Sequence, residues 1–355
     1  MTRRRLVAFA ALAMLVATGC AGPPTSATEP VASTDIFAYA TSTELVVADG
    51  TTILSRTPGS FDTTRDVGVT KDSKFAFWKE DARGGDGSFV AAVSTGAPAA
   101  PLRVACGCRQ VLPLSASTIV WLQAPDTVMR MDLVAAQPKP TVWRTITPAL
   151  QTQERVDLLA VHGDQLLLNR YQIEQQYDSI KCQLFTIDAD GTTHTHGPLS
   201  DLKAYFYSAV FSPDGKSAAL SQYAVPSSYL RDMACSLAVV YFLDLSSGDL
   251  QSTVPSPENC SSALKLRWDI PDGPTLAVDR WPAFTKPTDA QTTRWQSNQR
   301  SWTPLDPPIA DRAQTSAGAT IELAKPGSAG FYDVYFIKHG QRTELAEQVY
   351  SIAVP

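Results

Sequence analysis

A short turn between two apolar runs recurs along this chain, and the recurrence constrains the fold more than any other feature. Residues 210–223, VFSPDGKSAALSQY, pass from an apolar entry through Ser212-Pro213-Asp214-Gly215 into an alternating exit. Asp favours such a turn because its carboxylate bonds the backbone two residues on, and Gly because it takes a positive φ without a Cβ clash. VTKDSKFAFW (69–78) has the same layout, and IPDGPTLAV (270–278) repeats Pro-Asp-Gly before an apolar run. Looser copies are LSASTIVWL (114–122), VHGDQLLLN (161–169) and SAGATIELA (316–324). The spacing is roughly 40–60 residues, the range of propeller blades.

Each copy is followed by two further strand-like runs. With the run before the turn, that makes four strands per unit and six units. IFAYA (36–40), ELVVADG (44–50) and TTILSRT (51–57) are three strands without an inner partner, and YSIAVP (350–355) is one strand without followers. Joining them removes the open edge a ring would otherwise expose. The expected fold is all-β: a seven-bladed β-propeller over residues 35–355, closed by the C-terminal strand completing blade one. Twenty-five prolines, twenty glycines and no long 3.6-period apolar stretch point the same way.

FSPDGKSAAL (211–220) resembles the Pro-Asp repeat of the TolB-like and related WD40-like propellers. The match is good there, fair at 69–78 and 270–278, and poor elsewhere. The resemblance implies a ligand- or partner-binding platform and no particular reaction, because one fold hosts many functions. No Trp-Asp pair ends the third strands, and no G-x-S-x-G elbow of an attached hydrolase is present.

The N-terminus reads as a targeting segment. MTRRR is basic, LVAFAALAMLVA is apolar but short for a membrane span, and ATGC ends at Cys20. This resembles the lipobox of bacterial lipoproteins, whose cysteine is lipidated and becomes the new N-terminus. The resemblance implies a signal peptide over 1–19, a lipid on Cys20 and an extracytoplasmic protein on the bacterial cell membrane. Residues 20–34 hold no large apolar run and read as a tether. Cleavage removes Arg3, Arg4 and Arg5 and no acid, leaving 27 basic and 35 acidic side chains. That balance argues against nucleic-acid binding, which needs basic patches to displace counterions.

Chemistry-bearing clusters are few. His194-x-His196 shares one strand face, but no third metal ligand lies beside it, so an outer strand is expected and no metal. Asp188-Ala-Asp190-Gly191 resembles half a calcium loop, but lies between two strands, where it reads as a turn. An exported chain permits disulfides. Cys235 and Cys260 fall in neighbouring loops and are expected to pair, whereas Cys106-Gly-Cys108 reads as structural or as free buried thiols.

Counting back from each second strand aligns Arg65, Arg109, Arg155, Arg267 and Arg312, with Tyr207 in blade five and Gln348 in blade one. They are expected to share one channel mouth. There they grip an anionic ligand or an acidic partner loop. The alternative is that they brace neighbouring blades through Asp66, Asp157, Asp269 and Asp311. The expected function is a non-catalytic, cofactor-free binding platform for an envelope protein, a glycan or a small anionic ligand. The competing reading is a propeller lyase or hydrolase at the channel mouth; four scattered histidines weigh against it.

Overall fold

The computed structural model describes residues 33–61, 67–81, 87–96, 100–147, 150–151, 153–173, 180–202, 204–224, 237–255, 260–268, 273–281, 291–298, 301–305, 309–324 and 332–355. Among these residues all regular structure is β-strand, and none forms a helix able to cross a membrane.

The strands form repeated four-stranded antiparallel sheets in chain order. The chain enters with β1 (Ile36–Thr41), β2 (Glu44–Asp49) and β3 (Thr52–Pro58). Five four-stranded sheets follow. The first holds β4 (Val67–Val69), β5 (Phe75–Asp81), β6 (Ser88–Ser94) and β7 (Leu102–Ala105). The second holds β8 (Cys108–Ser115), β9 (Thr118–Gln123), β10 (Thr127–Asp132) and β11 (Thr141–Thr145). The third holds β12 (Glu154–His162), β13 (Gln165–Ile173), β14 (Ile180–Ile187) and β15 (Thr193–Leu202). The fourth holds β16 (Ala204–Phe211), β17 (Ser217–Ala224), β18 (Val240–Asp244) and β19 (Leu250–Thr253). The fifth holds β20 (Cys260–Arg267), β21 (Thr275–Trp281), β22 (Gln291–Asn298) and β23 (Ser301–Pro304). Last come β24 (Ile309–Gln314), β25 (Thr320–Ala324), β26 (Tyr332–Lys338) and β27 (Gln341–Ala353), which join β1–β3 in one seven-stranded sheet.

The recurring turn explains the strand pairs. In β4–β5, the Thr70 amide donates to the Phe75 carbonyl, the Phe75 amide to Thr70 Oγ1, and Thr70 Oγ1 and the Lys74 amide to Asp72 Oδ1. In β16–β17, Ser212, Asp214, Lys216 and Ser217 make the same four bonds. Ser73 and Gly215 occupy the same place, with φ of 62° and 69°. The Pro-Asp-Gly copy at 270–278 falls partly outside the described residues.

β27 is one strand serving two sets of partners. Its first part pairs with β26 as far as Val349↔Tyr332, and its last part pairs with β1 through Ile352↔Tyr39 and Ala353↔Ala38. The sequence reading divided this stretch into two strands at 349/350; the structure keeps it continuous. Gln348 sits at the handover with φ of 59°, the left-handed kink that turns the chain from one partner to the other.

Apolar clusters fill the space between successive sheets. Phe37 and Ile321 belong to a cluster within the seven-stranded sheet; Leu45 and Trp78, Phe77 and Trp121, Val120 and Leu168, Leu184 and Phe206, and Val240 and Leu276 lie in clusters between neighbours. Among the described residues the β20 sheet and β24 share no such cluster. Their interface carries buried Arg294, Thr275 and Asp311 instead.

Candidate functional site at the ends of the inner strands

The first strand of each sheet has two ends: one where it begins, and one where it turns into the second strand. Arg109 and Arg155 are the second residues of β8 and β12, so both stand where inner strands begin. Arg267 is the last residue of β20, at the opposite end, and Arg312 lies inside β24. The expected single ring of arginines is therefore corrected. Counting back through the turn misplaced Arg267 because the separations differ: two residues part β8 from β9 and β12 from β13, whereas seven part β20 from β21. Tyr207 lies at a register shift in β16. Its side chain, Arg65, Asp66 and Asp269 lie outside the described residues.

The arginines divide by role as well as by end. Arg267 bonds Asp311 in two-pronged fashion, Nε to Oδ1 at 2.8 Å and Nη2 to Oδ2 at 2.8 Å, and also donates to the Ile352 carbonyl at 2.9 Å. Lys265 donates to the same carbonyl at 2.9 Å and lies 3.3 Å from Asp311 Oδ2. Fully buried Arg294 reaches Asp311 Oδ1 at 2.7 Å. Burial alone would raise the Asp311 carboxyl, but Arg267, Lys265 and Arg294 outweigh it and hold it well below the usual range. Burial, with repulsion from Arg267, pulls the Lys265 ammonium down to about 8. These groups tie β20, β24 and β27 together. Arg312 pairs with Glu322 of its own sheet, Nε to Oε1 at 2.9 Å. Bracing between sheets is thus the observed role of Arg267, whereas Arg312 is held within its own sheet.

The other end is more open. Arg109 Nη1 donates to Asp157 Oδ1 at 2.9 Å and to Tyr171 Oη at 2.7 Å, yet 63% of its side chain stays exposed. The Arg109–Asp157 pair links β8 to β12, as the bracing alternative expected, and Gln110 beside it adds a bond to the Leu158 carbonyl. Arg155 is exposed and stands opposite Tyr171 in register. Burial raises the Asp157 carboxyl above its ordinary value, against the pull of Arg109, Tyr171 and Arg155. Two guanidinium groups thus flank one carboxylate, an arrangement that can take up an anion.

The remaining candidates are structural. Cys106 and Cys108 form a disulfide with each other, buried beside Ser88 Oγ. Cys260 is disulfide-bonded, and its expected partner Cys235 lies outside the described residues. Cys182 is a buried thiol outside any disulfide. His194 Nε2 lies 3.1 Å from Asp188 Oδ2, while His196 is buried against Thr186. Asp188 to Thr192 makes a turn, with Gly191 at φ of 90°. Among the described residues no three His, Cys, Asp or Glu side chains gather as metal ligands.

No family model and no curated protein matches the sequence. Solved β-propellers match the fold. An oligogalacturonate lyase in complex with manganese superposes with a TM-score of 0.52 at 11% identity, covering 89% of this chain and 85% of that one. The β-propeller domain of the Trilobed protease from Pyrococcus furiosus gives 0.51 at 11% identity, covering 86% and 90%. Apo AztD from Citrobacter koseri gives 0.53 at 9% identity, covering 90% and 97%. At such identities the likeness establishes the β-propeller fold alone. It nevertheless corrects the expectation of a non-catalytic chain. That expectation rested on scattered histidines, and an oligogalacturonate lyase and the propeller domain of a protease share this architecture.

Proposed function

We propose that this chain is an exported lipoprotein, anchored through Cys20 to the bacterial cell membrane, whose propeller captures an anionic ligand where its inner strands begin. The ring has seven blades in this reading, with β27 completing blade one; the Ile352↔Tyr39 pairing supports it. The observation that carries the function is the pair Arg109 and Arg155, both reaching solvent, with the half-buried Asp157 between them. Ser33 and Thr34, which close the tether, bond to Ser316 in the β24–β25 loop. That loop lies at the opposite end of the inner strands, so the arginine pair faces away from the tether's point of departure. An acidic partner loop would use the same two guanidinium groups.

Asp157 favours a second reading, an enzyme acting on the captured anion. A carboxyl raised by burial, within reach of Tyr171 and Arg109, suits proton transfer. Calorimetric titration of the mature protein with inorganic phosphate and with acetate tests capture. The expected result is binding of at least one, weakened by added salt. No binding of either at low salt contradicts it.

A further inference from the structure

Asn169 stands out among the described residues of this region because both polar ends of its side chain are left unsatisfied. It is completely buried, and neither its Oδ1 nor its Nδ2 makes a well-formed hydrogen bond. A buried primary amide with both heads unmade costs stability, and a leucine of similar size would remove that cost. Its position is informative. Asn169 stands directly across from Asp157 in the β12–β13 register, and two residues before Tyr171 on the same strand. Alternation puts Asp157, Asn169 and Tyr171 on one face of the sheet. Arg109 contacts both Asp157 and Tyr171. Among the described residues, the one group that engages the amide is the Cys182 thiol: a weak hydrogen bond with Asn169 favours the thiolate, but burial outweighs it and pushes the thiol up to about 12, and a neutral thiol leaves the amide's hydrogen-bonding capacity largely unused.

We propose that Asn169 is the inner reading group of the anion site, so that the ligand carries, next to its negative charge, a group with one hydrogen-bond donor and one acceptor. An amide or a hydroxyl has this chemistry, and the Asn169 carboxamide complements either by accepting at Oδ1 and donating from Nδ2. Arg109 and Arg155 take the charge. Asn169 takes the neighbouring polar group as it displaces the Arg109 side chain from Asp157 and Tyr171. The inference rests on the anion reading of this mouth and narrows the ligand class within it.

Three probes separate the possibilities: acetate, which has the charge alone; N-acetylglycine, which adds an amide; and glycolate, which adds a hydroxyl. Each is titrated calorimetrically onto the mature wild-type protein, Asn169→Leu and Arg155→Gln, with thermal melts confirming that the variants fold. The expected wild-type result is at least tenfold tighter binding of N-acetylglycine or glycolate than of acetate, and the preferred probe tells an amide ligand from a hydroxy-acid ligand. Asn169→Leu should lose that preference and bind the three probes alike. Arg155→Gln should weaken all three alike. If Asn169→Leu does not fold, Asn169→Ala serves, and the wild-type preference is read without any variant. Equal wild-type affinities, or a preference that survives the substitution, overturn the role of Asn169. Absence of binding by all three probes, acetate included, overturns the anion site itself and this inference with it.

Discussion

Arg267 and Asp311, 44 residues apart in sequence, face each other through two parallel 2.8 Å hydrogen bonds across an interface with no apolar cluster among the described residues. Asp311 also meets Lys265 and Arg294, and its side chain is only 6% exposed. Removing its charge leaves three cations facing one another in a buried place. Asp311→Asn should therefore destabilise the protein by about 3–5 kcal/mol, the cost of orphaning one side of a buried pair. Denaturant unfolding measures it; a loss under about 1 kcal/mol would mean that the network contributes little.

The same cluster sets a pH dependence. The folded Asp311 carboxyl lies below its unfolded value of 3.8, so the folded chain binds fewer protons on the acid side. Its stabilising contribution is present above that value and is lost progressively as pH falls from it towards the lower folded value. Lys265 works the other way. Its folded value of about 8 lies below the unfolded 10.5, so between them the unfolded chain holds more protons and stability contributed by this group rises with pH. Denaturation midpoints should fall steeply below about pH 4, and Asp311→Asn should flatten that limb. Lys265→Met should remove the alkaline contribution.

Gln348 marks the place where β27 changes partners. A β-branched residue at its φ of 59° meets the left-handed penalty in full, so Gln348→Val should cost about 1–2 kcal/mol, whereas Gln348→Gly should be neutral or slightly stabilising. Beyond it, Ile352 is fully buried against Tyr39, and Ile352→Ala should cost about 2–5 kcal/mol. Deleting residues 350–355 should lower Tm further than either substitution, because β1 then loses its neighbour. An unchanged Tm after the deletion would contradict closure through β27.

The turn repeat was legible in sequence because its bonds are local. Thr70 with Asp72 and Ser212 with Asp214 each close a turn within six residues, so the pattern survives in the string of letters. Strand positions followed from it. Arginine placement did not, because it depends on the length of each turn and on partners from another sheet. Nothing near Arg267 in sequence announces Asp311 as its acceptor, although both residues were named as candidates. Asn169 was missed altogether, since a polar residue in LLLN looks like the end of an apolar run until its burial is seen. The Cys106–Cys108 bond was equally opaque, because a separation of two residues gives no indication of pairing.

The lipid anchor has its own test. Cys20→Ala should yield protein without lipid, released from the membrane fraction or held as precursor, while wild type carries a lipidated N-terminal cysteine by mass spectrometry. A wild type that retains residues 1–19, or carries no lipid, contradicts the anchor.

The division of labour between the two ends of the inner strands is tested most directly by comparing Arg155→Gln with Arg267→Gln, measuring Tm and inorganic phosphate and acetate binding for each. Arg155→Gln should lose most of the anion affinity, and the salt sensitivity that goes with it, while its Tm stays within about 1 °C of wild type, as expected for an exposed substitution. Arg267→Gln should lower Tm by several degrees and leave the affinity of the folded protein unchanged. The opposite pattern, an Arg155→Gln protein that binds as wild type does while Arg267→Gln binds nothing, would contradict the placement of the anion site beside Arg109.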